Sequence, residues 1–229
     1  MNRKRTWLWW SSGKDSAWAL HVLRKRPDVE VRALVTTVTA EFDRVAMHAV
    51  RTELLRRQAS SVGIELRIIS IPHPCSNSQY EAAVAELLKD ATEESVACMA
   101  FGDLFLEDVR EYREKLLSGT GIEPLFPLWG EDTSPLSHSM VSSGLRAFVT
   151  CVDPRRLSRD LVGREFDLSF LADLPDGADP CGEHGEFHTF AFAGPVFSWP
   201  VEASVGEVVE RDGFVFADLQ PASVPPHPR

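Results

Sequence analysis

The sequence predicts an α/β protein, a Rossmann-like parallel sheet covered by helices and followed by a smaller α+β domain. Three observations carry this. From residue 6 to residue 117, apolar and β-branched runs alternate with segments of helical period, the order that builds βαβ units. The runs are continuously apolar, as in a sheet buried on both faces. After residue 123 the pattern gives way to prolines and strand-like runs.

Thr6–Trp10 reads as a buried strand that stops at a Ser/Gly turn. Ser16–Arg26 has apolar residues at helical spacing and ends before Pro27. Val29–Val38 is a second strand, and Val45–Val62 a helix stopped by Gly63. Leu66–Ile71 is a third strand, ended by Pro72 and Pro74, and Gln79–Lys89 is a helix. Ser95–Phe101 is a fourth strand running into Gly102-Asp103, and Leu106–Leu117 a charged helix. Further on, Ala147–Val152, Glu186–Phe192, Val201–Val209 and Phe214–Leu219 are strand-like, and Asp212-Gly213 marks a hairpin turn between the last two. The expected organisation is a nucleotide domain over 1–123, a substrate domain over 124–221 and a disordered Pro-rich tail over 222–229.

Composition narrows the function classes. With 229 residues and 44% hydrophobic content the chain can bury a substantial core. Its net charge of −10 disfavours a general nucleic-acid binder, which needs a basic footprint. The four cysteines show no C-x-x-C pair, so neither a disulfide scaffold nor a Cys-only metal site is expected. The apolar run Trp7–Trp10 is too short for a signal peptide. No stretch reaches the ~20 apolar residues of a membrane span. A cytoplasmic protein without a membrane partner is expected.

Ser11-Ser12-Gly13-Lys14-Asp15-Ser16 lies between a predicted strand and a predicted helix. Gly13 lets a phosphate approach the backbone, the hydroxyls and first helical amides supply donors, and the helix dipole favours an anion. Lys14 adds a positive charge. Asp15 beside phosphates makes sense if Mg²⁺ bridges them, since hard cations take carboxylate oxygens. The ordinary P-loop is excluded, because Leu8 stands where its first glycine belongs and Asp15 follows the lysine. In a parallel sheet this loop, the Pro72–Ser76 loop and Gly102-Asp103 converge at the carboxyl ends of the strands. The hexamer resembles the S-G-G-x-D-S motif of the PP-loop ATP pyrophosphatases, with Ser12 in place of the second glycine.

Residues 179–190 read Asp-Pro-Cys-Gly-Glu-His-Gly-Glu-Phe-His-Thr-Phe. Gly182 and Gly185 permit tight turns that would aim Glu183 and Glu186 inward, where carboxylates can hold an ammonium ion, position a cationic substrate or act as a base. With the PP-loop and Gly102-Asp103 followed by Arg110-Glu111-Tyr112-Arg113, this segment resembles the diphthine–ammonia ligase family. The likeness runs from about Trp9 to about Pro195. It implies the adenine nucleotide alpha hydrolase-like fold, with ATP and Mg²⁺ as cofactors. It also implies an acyl-adenylate, with ammonia and a carboxylate-bearing acceptor as partners. Residue by residue it implies nucleotide roles for Ser11, Ser12, Gly13, Lys14, Asp15 and Ser16. Gly102 and Asp103 join the nucleotide set, and Glu183, Glu186 and His188 the substrate set. Lys14, Asp15, Glu183 and Glu186 are the expected catalytic residues, and Asp15 the Mg²⁺ ligand. Bacterial relatives carry the same motifs although bacteria lack diphthamide, so the likeness speaks to the chemistry more than to the acceptor.

Thr36, at the end of the second strand, is placed on the nucleotide side, and Cys75 in the substrate pocket wall, with a Ser76 or Asn77 helix cap as the alternative there. His48 and Arg51 face either a phosphate or substrate carboxylate, or solvent. Glu107, Asp108, Arg110 and Arg113 read as a charged helix face, and Trp129 as core at the domain joint or as lining of the substrate cleft. Cys181, His184 and His188 have zinc-compatible spacing, but no fourth ligand is evident. The competing functions are a sulfur-transferring PP-loop enzyme acting on transfer RNA, which needs a persulfide cysteine, and a nucleotide sensor without catalysis. A homodimer is left open.

Overall fold

The computed structural model describes residues 3–45 and 50–222. Five parallel strands form its first sheet. They are β1 (Lys4–Trp9), β2 (Val29–Thr39), β4 (Glu65–Ile71), β5 (Cys98–Ala100) and β6 (Glu123–Leu125), in spatial order β4-β2-β1-β5-β6. A two-residue strand, β3 (Arg44–Val45), pairs antiparallel with the end of β2. Strand order therefore reverses between β1 and β5, and a crevice opens at such a switch point beyond the carboxyl ends.

Side-chain alternation explains why both faces are covered. On β1 and just beyond, Leu8 and Trp10 enter one buried cluster and Trp7 the other. Leu34 and Val38 of β2 follow the first, and Ala33 and Val35 the second. The first face packs on α1 (Lys14–Lys25) and α2 (Thr52–Val62), the second on α3 (Asn77–Glu93) and α4 (Glu107–Leu117). Gly63 ends α2 in the left-handed region at φ +70°. Ser76 and Gln79 cap α3 reciprocally.

The second sheet is antiparallel, in the order β8-β7-β10-β9. It comprises β7 (Arg146–Val152), β8 (Phe187–Ala193), β9 (Ala203–Arg211) and β10 (Phe214–Pro221). The hairpin expected at Asp212-Gly213 forms there, with both residues at positive φ. Two helices, α5 (Thr133–Ser142) and α6 (Leu168–Ala172), complete this half. Its Phe166, Phe170, Phe187 and Phe190 belong to the same buried cluster as Leu8, Leu20 and Leu54. One core thus runs through both sheets. Buried Gln58 stitches it: its Oε1 accepts from Trp10 Nε1, and its Nε2 donates to the carbonyls of Ser12 and Ala191.

The α/β reading of the sequence holds, with differences in detail. The helix expected over Val45–Val62 begins at Thr52, preceded by β3. His48 lies outside the described residues. Arg51 does not point toward a phosphate site; its guanidinium, with that of Arg44, grips Asp218 of β10. β6 extends the first sheet across the boundary expected at residue 123, and α5 and α6 occupy a stretch read as irregular. The expected tail lies outside the described residues from 223 on, whereas Ala222 donates its amide to Glu202. Among the described residues no helix is long and apolar enough to cross a membrane.

Candidate active site

The β1–α1 loop is bent by Ser12, which sits at φ +70°. Gly13 is the N-cap of α1 but offers no side-chain cap. The missing acceptor comes from the other sheet: Thr189 Oγ1 of β8 accepts the Lys14 amide at 3.0 Å. The following amides of the first turn have no intrahelical acceptor by helix geometry, so they form an anion-favouring end. Ser16 Oγ donates to the Gly13 carbonyl at 2.9 Å, and Ser11 Oγ lies 3.3 Å from Ser16 Oγ. Gly102 presses against this turn: a Cβ there would stand 3.2 Å from the Asp15 carbonyl and the Ser16 amide nitrogen.

A cavity of about 210 Å³ opens beside the loop. Ser11 lines it from the β1–α1 loop, Lys14, Asp15 and Ser16 from α1, Gly102 and Asp103 from the end of β5, and Glu183 and His188 from the 179–189 segment. Eight residues singled out from sequence thus share one space. Ser12 and Gly13 shape the loop from behind; Ser12 is fully buried, and its hydroxyl has no hydrogen-bond partner.

Lys14 is turned into the protein. Its ammonium lies 2.9 Å from both Asp15 oxygens, donates to the Cys181 carbonyl, and sits 5.5 and 5.2 Å from the ring centroids of Phe166 and Phe187. Burial pulls its pKa down, but Asp15, Cys181 and Glu183 more than offset that and hold it above the ordinary lysine value. The charge of Lys14 therefore joins the Ser11–Ser16 loop to the 179–189 segment.

That segment is shaped by Asp179, whose carboxylate accepts the amides of Cys181 and Glu183. Gly182 stands at φ +69°, where a Cβ would lie 2.9 Å from the Phe187 ring and carbonyl, so only glycine fits. The turn delivers the Glu183 carboxylate to the cavity, where it accepts the Leu104 amide at 2.7 Å. Burial pushes the Glu183 carboxyl up to about 7, aided by the charges of Asp15 and Asp103 and opposed by the Leu104 hydrogen bond and Lys14. Burial and Lys14 press His188 down to about 4, so its imidazole is neutral near pH 7.

Three expected residues lie elsewhere. Glu186, though buried, turns away from the cavity, accepting the Asp179 amide at 3.3 Å and facing Arg156 at 3.5 Å; it braces the segment from behind. Thr36 is buried and its hydroxyl donates to the Trp10 carbonyl. Cys75 lines a second cavity, of about 610 Å³, between the ends of β2 and β4 and the second sheet. His188 lines both cavities. Of the zinc-spaced residues, the Cys181 thiol is directed at the Thr133 carbonyl and the His184 ring packs edge-on against Phe105.

Two contributors were missed. Arg113 was read as part of a charged helix face, yet it enters the cavity, its guanidinium over the rings of Trp9 and Phe101 and 3.4 Å from Asp103. Its position one turn after Arg110, in a block already quoted for its likeness, was the available signal. Thr189 stood at the end of the quoted 179–190 segment, but nothing local indicates that it caps a helix 175 residues away.

Asp15 is suited to Mg²⁺. Its side chain is 26% exposed, each oxygen bound to Lys14 keeps a further lone pair, and Ser11 and Ser16 line the same cavity. Among the described residues no group of three or more His, Cys, Asp or Glu side chains is placed to hold a metal unaided. A shared site, completed by phosphate oxygens and water, is the usual arrangement for Mg²⁺.

Comparison with known proteins agrees with the motifs. The diphthamide synthase N-terminal domain matches residues 4–124, and the diphthamide synthase C-terminal domain residues 132–217. A diphthine–ammonia ligase of Bos taurus is 30% identical over 151 residues, 63% of this chain and 56% of that protein. One from Danio rerio is 30% identical over 141 residues, 58% and 55% of the two. One from Homo sapiens is 28% identical over 151 residues, 63% and 56%. The chain spans about half the length of these curated relatives.

Proposed function

The chain belongs to the diphthamide synthase family, and from that premise we propose that it is an ATP-dependent ligase joining ammonia, or an amine, to a carboxylate through an acyl-adenylate. The observation that carries this reading is the single cavity shared by the Ser11–Ser16 loop, Asp103, Arg113 and Glu183. An anion-receiving helix end and a carboxyl titrating near neutrality face one another there, as a leaving pyrophosphate and an incoming amine require.

The β and γ phosphates occupy the loop, held by the Ser11 and Ser16 hydroxyls and the first amides of α1. Asp15 would hold Mg²⁺, which would supply positive charge to offset that of the leaving pyrophosphate. Arg113, steadied by Asp103, positions the acceptor carboxylate. A carboxylate oxygen attacks the α-phosphorus, the bond to the β-phosphate oxygen breaks, and pyrophosphate leaves. Ammonia then attacks the acyl carbon, Glu183 takes the proton released at nitrogen, and AMP departs as the amide forms. Residues 1–123 carry the nucleotide side of this site and contribute Arg113 to the acceptor side, to which 124–221 add Glu183. Diphthine on a protein is one acceptor of the required class; the relatives' name supports it, and the chemistry is common to other carboxylates.

Thiolate chemistry is less well supported. Cys181 is the one cysteine lining this cavity among the described residues, and burial pushes its thiol up to about 12, away from the nucleophilic form.

The test is product analysis with ATP, Mg²⁺, ammonium chloride and either diphthine-bearing elongation factor 2 or a panel of small carboxylic acids. AMP and pyrophosphate in equal amounts, with pyrophosphate exchange into ATP when ammonium is omitted, is the expected result. Release of ADP and phosphate would overturn the mechanism, and failure to bind ATP would overturn the assignment.

A further inference from the structure

The cavity of about 610 Å³ beyond His188 has no part in the chemistry just described. It lies within the usual size range of small-molecule sites and is about three times the volume of the catalytic cavity. Its walls come from both sheets. The strand-end wall carries Thr39, Ile71, Phe42 and His73, and the other wall Phe214 and Phe216 of β10. The two β10 phenylalanines are two positions apart on one strand, so they share a face, and their centroids are 6.4 Å apart. Both remain partly exposed. Phe42 is 43% exposed and meets His73 edge-on at 5.0 Å. These four rings, around a space that no described side chain fills, form a seat for a flat ring system.

Position says which ring. His188 lines this cavity and the phosphate cavity alike, so a ligand extended past it would have its anionic end at the α1 N-terminus and its other end among the aromatic rings. We propose that Phe214 and Phe216 of the second sheet form the stacking face for the nucleobase of ATP, so that the C-terminal half determines nucleotide affinity. The proposal rests on the ligase reading for the identity of the ligand. It assigns the second sheet a role in holding the nucleotide in addition to the acceptor.

The test uses two probes, ATP and inorganic tripolyphosphate, which shares the phosphates and lacks the nucleoside. Affinities are measured by titration calorimetry in the presence of Mg²⁺ for wild type, F214A, F216A, and the ring-free but bulkier F214L and F216L. Loss of stacking predicts a roughly 10- to 100-fold fall in ATP affinity in the alanine variants and a smaller fall in the leucine variants, with tripolyphosphate unchanged. ATP affinity unchanged in all four variants overturns the proposal and leaves the ligase reading intact. So does unchanged ATP affinity with impaired turnover of a carboxylate acceptor, which would give the cavity to the acceptor. Parallel loss of both probes in the leucine variants also overturns it, because the rings would then serve the fold. A wild-type chain that binds neither probe overturns the ligase reading itself.

Discussion

Glu183 owes its usefulness to its surroundings. Burial raises its carboxyl to about 7, so it is ionised only as pH rises through neutrality, and only the ionised form can take a proton. Amide formation is therefore expected to fall as pH drops through about 7. In Glu183→Gln that limb disappears with a loss of roughly 100-fold in rate, measured as kcat against pH at saturating ammonium. Retention of both limb and rate in the variant would remove Glu183 from the chemistry. The neighbouring Asp103 is raised in the same direction by burial but held back by Arg113. Residues such as Ser11, Asp15 and Glu183 were legible because motif spacing alone puts them at a turn or a helix start. Glu186 was not, because a glycine-flanked carboxylate can turn either way, and the Asp179 amide and Arg156 draw it backward. Arg113 was hidden by its helix, whose polar composition suggests solvent, whereas the rings of Trp9 on β1 and Phe101 just after β5 receive its guanidinium.

The loop from β1 to α1 carries a local cost. Ser12 occupies a left-handed conformation that disfavours an L-residue by about 1–2 kcal/mol, and its buried hydroxyl is unpartnered. Ser12→Gly removes both penalties and regains some backbone entropy in the unfolded chain. A net gain of about 1 kcal/mol is expected, seen as a rise in Tm of about 2–4 °C by calorimetry. An unchanged or lowered Tm would mean that the strain is absorbed elsewhere. Strands and helices of the first sheet were legible because continuous apolar runs and helical spacing are local signals. β6 escaped notice because it has three residues, one of them Pro124, and its edge position tolerates a proline. The start of α2 was misread because apolar Val45 belongs to a strand pair whose partner lies in β2.

At the scale of the molecule, one buried cluster joins both sheets, and Gln58 and the Arg44–Arg51–Asp218 group tie them further. Thermal unfolding is expected as a single transition with calorimetric and van't Hoff enthalpies in agreement. Two resolved transitions would show that the halves are independent. Nothing in the sequence foretold this shared core, since it pairs residues more than a hundred positions apart. The same long-range pairing dictates the order in which the site can come into being. Lys14 needs the Cys181 carbonyl and the Thr189 hydroxyl, and the Ser12 carbonyl needs the Ala191 amide. During synthesis from the N-terminus, the Ser11–Ser16 loop emerges long before these partners. The first sheet can assemble early, but a nascent chain has no finished loop cavity until β8 has left the ribosome and docked.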